Sequence, residues 1–502
     1  MNKLFFLVFI TAVYFNTSFA QDIEISAYAP VHPILKGLEV NPFIELTIVI
    51  PESIESLKNP SFQSLISESS LPWIESLELY DSTYNKIGTI KPGGANFEIL
   101  LDTILFSGNH HFIIGATLRQ SAPVTEKIEM HCTTVVFDQK TPIAVRETGG
   151  SFSKRIGSVV RKLGDEGVHT YRIPGLITTQ KGTLISVYDI RYTTSRDLPG
   201  NIDVGMNRST DGGNTWEPMK IIMDMGEPHE NNGVGDPTIL FDPANNRIWV
   251  AALWSKGNRS IAGSGPGLTP DETGQLVLTY SDDDGLTWAP VYSITPEVKN
   301  PKWNLFFQGP GAGIVMNDGT LVLPTQYWSE DKMPFSNIIY SKDHGKTWKT
   351  SLTAPKSNTT ESQVVETSPG TLMLNMRDNR GKYRSISTTS DFGTTWTEHP
   401  TSRNALPDPI CQGSIIKTTF ENKEVLLFCN LDTSIRKREK MTVKASLDLG
   451  ESWPSQYHHL FDERNTFGYS SISMINENTL GVLYEGIRNI YFVQIPLKEI
   501  LR

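Results

Sequence analysis

Eight residues dispersed through the 502-residue chain carry side chains that could act together on a charged substrate. Arg172 stands in Tyr171-Arg172-Ile173-Pro174, after an approach containing Gly164 and Gly167 and at the head of the strand-like run GLITTQKGTLISVYDIRY. Arg191 and Asp197 lie 19 and 25 residues further on, and Asp236 lies 64 further on. Glu361, Arg377, Arg438 and Tyr469 complete the set. A guanidinium is permanently charged and grips a carboxylate with two parallel hydrogen bonds, so it suits an anionic ligand better than lysine does. Carboxylic acids shuttle protons, and a phenol attacks carbon if a neighbouring base takes its proton, since its free pKa is about 10. Taken singly, each residue reads as a surface charge or a packing aromatic. Arg172 and Arg377 stand out because both adjoin apolar runs that read as inner strands.

The elements that would hold these residues are short strands joined by a repeated turn. Ser209 to Trp216, Ser281 to Trp288, Ser341 to Trp348, Thr389 to Trp396 and Ser446 to Trp453 all fit [ST]-x-D-x-G-x-[ST]-W. In each, the Asp carboxylate accepts N–H groups at a bend, Gly supplies a left-handed conformation and Trp packs into a neighbouring sheet. One such hairpin every 48 to 72 residues, each after a strand-like run, predicts the blades of a β-propeller. Five motifs and one degenerate blade make six. No helix-length amphipathic run interrupts the series, which argues against an α/β barrel. Asp211, Asp283, Asp343, Asp391 and Asp448 are read as structural, neither catalytic nor metal-binding.

Ahead of the repeats, up to about residue 138, runs such as Phe43 to Ile50, Ser76 to Tyr80, His111 to Gly115 and Thr133 to Phe137 predict antiparallel strands in a small β-sandwich. PESIESLKNPSFQSLI, residues 51–66, is expected to hold a short helix before its second proline, Pro60, stops it. The Gly- and Ser-rich ETGGSFSKRIG marks a boundary near 140 to 155. Residues 1–20 read as a cleaved secretory signal peptide, with one lysine, an apolar run too short to span a bilayer, and Ser18 and Ala20 at the cleavage site. The expected organisation is therefore all-β: signal peptide 1–20, β-sandwich 21–150 and six-bladed propeller 151–502. The mature chain is expected to be periplasmic or secreted, with no transmembrane segment once the signal is removed.

A formal net charge of -10 argues against nucleic acid as a partner, because phosphate contact demands a basic surface. It leaves room for a small anion held by locally concentrated arginines. Cys132, Cys411 and Cys429 are too few for a disulfide framework and fit no metal spacing. They read as small buried apolar residues, although Cys411 and Cys429 could pair in an oxidising compartment.

Together, Y-R-I-P, the five Asp-containing turns and the residues above resemble the sialidases, the Asp-box exo-α-neuraminidases, over residues 155–502. The N-terminal region resembles the β domain, often described as carbohydrate-binding, of sialidases from gut and oral commensals. In that family the turns lie away from the active site. The resemblance implies that Arg172, Arg377 in L-N-M-R and Arg438 in R-E-K-M-T-V grip the carboxylate of a sialic acid, with Arg436 the alternative to Arg438. It assigns Tyr469 in F-G-Y-S-S-I-S as nucleophile and Glu361 as its base, with Glu366 the competitor. Sialidases are the tyrosine-nucleophile exception among glycosidases, and a neutral phenol avoids the repulsion a carboxylate nucleophile would meet from the substrate's own carboxylate.

By the same resemblance Asp197, in S-R-D-L-P-G, is the acid/base on a loop that can close as a mobile lid, with Asp189 and Asp203 as nearby alternatives. Arg191 binds the 4-hydroxyl side of the sugar. Asp236, in G-V-G-D-P-T, is a second substrate-side carboxylate or a turn acceptor before Pro237. The implied activity is a metal-free, cofactor-free retaining exo-sialidase acting on terminal α-linked sialic acids of glycoproteins, glycolipids and oligosaccharides. A trans-sialidase would use the same residues. A sialoglycan lectin would keep the turns but has no reason to keep Tyr469, Glu361 and Asp197 together.

Overall fold

Short runs in which apolar residues alternate or dominate, punctuated by Gly, Asn and Asp, form strands throughout the described residues. The computed structural model describes residues 23–501 apart from 139, 258 and 260–262, so the segment read as a signal peptide lies outside the described residues. The described helices are single turns, such as Thr295–Val298 and Leu497–Ile500.

Near the N-terminus, Glu24–Ala29 pairs antiparallel with Pro42–Ile50, followed outward by Gly108–Leu118, Ile74–Asp81 and Lys86–Ile90. Ser61–Ile66 pairs with Lys127–Val136 and Asn96–Leu100 in a second sheet. Both sheets contribute to one apolar core, in which the Phe62 and Phe112 rings meet edge to face at 5.3 Å. The stretch 51–66 holds no helix. Ahead of Pro60, Ser56–Lys58 pairs as a strand with Ile104–Phe106, and Ser61–Ile66 follows with Phe62, Ser64 and Ile66 facing inward at a period of two and partner strands on both edges.

From residue 170 the chain lays down antiparallel sheets in succession. Thr170–Thr178, Leu184–Arg191, Ile202–Ser209 and Lys220–Met223 form the first. Later sheets begin with Val234–Asp242, Leu305–Gln308, Thr359–Ser368 and Ser414–Phe420. The last contains Ser470–Asn476, Thr479–Glu485 and Ile490–Pro496, and Ser153–Arg161, from far upstream, pairs with Ile490–Pro496 to extend it. Leu176 N–H donates to Ser471 Oγ at 2.9 Å, so the first strand of the first sheet adjoins the first strand of the last. Ser153–Arg161 also pairs with Lys127–Glu129, stitching the N-terminal region to the later sheets through shared backbone hydrogen bonds.

The five Asp turns close the ends of the third strands. In the Ser341 turn, Gly345 N–H donates to Ser341 Oγ at 2.8 Å, and Ser341 Oγ donates to Asp343 Oδ1 at 2.8 Å. Thr347 donates its N–H to Oδ1 at 2.9 Å and its hydroxyl to Oδ2 at 2.7 Å. His344 and Gly345 both have positive φ, and a β-carbon on Gly345 would come within 2.3 Å of Trp249, so glycine is required there. The three cysteines are buried and free, so the pairing of Cys411 with Cys429 considered from sequence does not form.

Candidate active site

Three first strands break register at the same end of their sheets: between Arg172 and Gly175, between Gly235 and Thr238, and between Thr359 and Ser362. These irregularities carry Arg172, Asp236 and Glu361. Bulges bend a strand and re-aim its side chains, and the prolines at 174 and 237 fall inside two of them, where no ladder N–H is needed. Ile173 and Asp236 adopt φ of +59° and +57°. For a β-branched residue such as Ile173 that conformation is strained. The five Asp turns sit at the other end: Arg191 pairs with Ile202, whereas Ser209, which opens a turn, pairs with Leu184.

Glu485 supplies what stabilises the bulge at Arg172. Its carboxylate is fully buried and accepts Arg172 Nε at 3.0 Å and Arg172 Nη2 at 3.3 Å. It also accepts the N–H groups of Ile173 and Tyr469, each at 2.9 Å. One side chain thus fixes an arginine from the first sheet against the tyrosine that opens the last. The Arg172 guanidinium lies 5.0 Å from the Tyr469 ring centre and 4.9 Å from that of Phe467, within cation–π range. Sequence reasoning missed Glu485. Its one signal was an acid ending the otherwise uncharged run Thr479–Tyr484, just before Gly486.

Tyr469 donates its hydroxyl proton to Glu361 Oε1 in a short hydrogen bond and accepts Arg377 Nη1 at 3.0 Å. The same Nη1 lies 2.6 Å from Glu361 Oε2. Burial, followed by the charge of Glu361, holds the Tyr469 phenol well above its ordinary pKa of 10, so it keeps its proton at neutral pH. Glu366 points elsewhere, accepting the N–H groups of Asn317 and Gly370 at 2.8 Å each. Arg438 approaches from the segment before strand Met441–Ser446, donating Nη1 to Phe467 O at 2.6 Å with its guanidinium 5.9 Å from the Tyr469 ring. Arg436 is exposed and lines a pocket with Arg377, Arg438, Asn379, Pro409 and Ile410.

A second group assembles around Arg191, whose side chain is buried. It donates Nε and Nη2 to Asp189 Oδ2 at 3.0 and 2.7 Å, and pairs with Asp197 through Nη2. Asp189, weighed against Asp197 in the sequence, is the buried anchor of this group; its Oδ1 also accepts Asp236 N–H at 2.8 Å. Asp203 faces away and accepts Tyr192 Oη at 2.9 Å. Oxygen atoms of Asp189, Asp197 and Asp236 lie within 4.8 Å of one another, a spacing that could hold a cation, and the Arg191 guanidinium already supplies positive charge there. Burial pushes the Asp189 carboxyl up to about 6 against the pull of Arg191. Burial, then the charges of Asp189 and Asp197, raise Asp236 well above the usual range.

The loop carrying Asp197, expected to move as a lid, is pinned at three points. Arg191 Nη1 donates to Ser195 O at 2.9 Å. Leu198 is buried in a cluster with Ile202, Leu253, Leu305 and Phe307. Gly200 passes so close to Gly233 that a β-carbon on the latter would fall 2.3 Å from Gly200 O. The Asp197 side chain itself remains 56% exposed.

The tyrosine–glutamate pair, the surrounding arginines and the exposed aspartate occupy one end of the sheets, as an anionic sugar site requires. Residues 173–485 match the BNR repeat-like domain family. A sialidase of Bacteroides fragilis is 44% identical over 413 residues, covering 80% of this chain and 76% of that one. Among solved structures, a Hadza microbial sialidase superposes with a TM-score of 0.89 at 37% identity, covering 95% of this chain and all of that one. Trypanosoma rangeli sialidase, captured as a covalent intermediate with 2,3-difluorosialic acid, matches with a TM-score of 0.56 at 25% identity over 65% of this chain and 54% of its own. The chain belongs to the sialidases, the exo-acting glycosidases that release sialic acid, and carries their BNR repeats.

Proposed function

We propose that the chain is a retaining exo-sialidase working through a tyrosyl-enzyme intermediate. The observation that carries this reading is the placement of the Tyr469 hydroxyl between Glu361 Oε1 and Arg377 Nη1. Arg172, Arg377 and Arg438 receive the substrate carboxylate, and Arg191 and Asp236 contact the far side of the sugar. Tyr469 attacks the anomeric carbon as its proton passes to Glu361, while Asp197 gives a proton to the departing glycosidic oxygen. Water, deprotonated by Asp197, then attacks the same carbon from the face the leaving group vacated. Tyr469 departs, recovering its proton from Glu361, and sialic acid leaves with its configuration kept. The raised phenol pKa makes the base indispensable, and the pair with Arg377 offsets the charge that develops.

The substrates in this reading are terminal α-linked sialic acids on glycoproteins, glycolipids and oligosaccharides. The intermediate captured in the Trypanosoma rangeli enzyme supports the covalent step. The successive sheets read as the six blades of a propeller closed by Ser153–Arg161, the two N-terminal sheets read as a β-sandwich, and the boundary falls near residue 150. Secretion to the periplasm or beyond completes the proposal.

The test is sialic acid release from an aryl α-ketoside by residues 21–502 and by Tyr469→Phe, with the first-formed anomer read by NMR. The parent should release the α-anomer first, and the variant should lose roughly 1000-fold or more in kcat. A Tyr469→Phe enzyme at the parental rate, or a β-anomer formed first, overturns the mechanism.

A further inference from the structure

The pocket beside Tyr469 holds more positive charge than one substrate carboxylate neutralises. Three guanidiniums line it: Arg377, Arg436 and Arg438. Arg377 is paired with Glu361. Arg438 is anchored on an uncharged acceptor, Phe467 O, while its own carbonyl accepts Thr466 N–H at 2.9 Å. Arg436 makes no side-chain hydrogen bond or ion pair among the described residues. Arg377 is 20% exposed, Arg438 is half-buried and Arg436 is exposed, so the three run from the floor of the pocket to its rim. Like charges gathered this closely repel one another, and a bound sialic acid carboxylate cancels only one of the two uncompensated cations.

Resting on the site reading above, we infer that Arg436 is a specificity-determining residue that takes a second negative charge, on the sugar next to the one being released. The carboxylate and the glycosidic oxygen of a sialoside share one carbon. A cation at the rim, beyond the arginines that hold the carboxylate, therefore faces what hangs from the glycosidic oxygen. The aglycone with a carboxylate in that place is another sialic acid. The preferred substrate class is accordingly oligosialyl glycans, in which the leaving group carries its own carboxylate for Arg436 to grip. A sulfate ester on a neutral penultimate sugar presents similar chemistry.

The test compares kcat/KM of residues 21–502 with those of Arg436→Gln and Arg436→Lys on three substrates. These are α2,3-sialyllactose, its derivative sulfated on the galactose, and lactose bearing an α2,8-linked disialyl unit. Arg436→Gln should lose about tenfold on the disialyl substrate and change less than about twofold on sialyllactose, as expected for one charge-assisted contact at a partly exposed site. Arg436→Lys should recover part of the loss, and high salt should shrink the parent's preference. Equal loss on all three substrates would make Arg436 a ligand of the scissile sialic acid itself and overturn the proposal, as would no loss on any. Dependence confined to the sulfated substrate would overturn the disialyl assignment. A parent inactive on sialyllactose would instead refute the catalytic reading, so the two failures are distinguishable.

Discussion

Asp343 and Asp189 belong to the same kind of sheet at opposite ends, and their surroundings treat a carboxylate in opposite ways. At the turn end, Asp211, Asp283, Asp343, Asp391 and Asp448 each accept three hydrogen bonds from neutral hydroxyl and N–H donors. The Thr347 hydroxyl, then its N–H, hold Asp343 down at about 2. At the site end Asp189 is buried and Asp236 half-buried, both are crowded by Asp197, and both are pushed up. Saturation with neutral donors fixes a carboxylate in one protonation state and makes it a rivet. Burial with like charges leaves it responsive to a proton or a ligand, which chemistry needs. The turns spend no charge on function, and the site keeps charges that the fold alone would not favour.

Removing one negative charge from each end should expose that division. Glu485→Gln keeps the shape and one acceptor oxygen but leaves Arg172 without its counter-ion in a buried setting. Breaking such a pair costs about 3–5 kcal/mol, so kcat/KM on an aryl ketoside should fall roughly 100-fold or more. Steady-state kinetics beside circular dichroism melting would read both effects; a loss under about threefold would mean that Glu485 does not organise the site.

Leu198→Ala is the intermediate case, since it leaves every charge in place. The apolar pin beside Asp197 would become a cavity, and the acid would lose its aim. Cleavage of sialyllactose, a poor leaving group that needs a proton, should drop about tenfold, while an aryl ketoside should lose only about two- to threefold. Leu198→Met should restore most of the difference, because it refills the volume. Equal losses on both substrates would point to a general loosening rather than to Asp197.

How far the sequence foretold the two ends follows from the range of the interactions involved. The Ser341 turn is legible because every partner of Asp343 lies within four residues. Arg172, Glu361, Arg377 and Tyr469 were picked out by their flanking motifs, and the structure brings them together. Glu485 stayed hidden because its partner Arg172 is 313 residues away and nothing local marks a buried acid as a strut. Asp189 stands in the sequence only as an alternative to Asp197, yet the strand's end at the bulged edge is where its buried carboxylate reaches Arg191. The helix expected ahead of Pro60 does not form because Ser56–Lys58 pairs instead with Ile104–Phe106, a partner remote in sequence. For the Asp197 loop, Pro199 and Gly200 signal a turn, whereas two of its three restraints come from Leu253, Leu305 and Gly233, none of them local in sequence.

Asp343→Asn makes the matching charge change at the turn end and should be the mildest. The amide keeps an oxygen for Thr347 but loses the charge that strengthens three hydrogen bonds, so the melting temperature at pH 7 should fall by only about 2 °C after allowance for solvent screening. The rate of the folded enzyme should not change, since the turn lies at the opposite end of the sheet from Tyr469. The pH dependence fixes the cause. Asp343 is held at about 2, below its unfolded value of about 3.8, so its charge contributes stability that is fully present above that unfolded value and is lost as pH falls toward 2. The gap between parent and variant should therefore stay constant from pH 8 to pH 5 and close between pH 4 and 2. A gap that persisted at pH 2 would mean that shape, not charge, holds the turn, and the contrast between the two ends would then rest on burial alone.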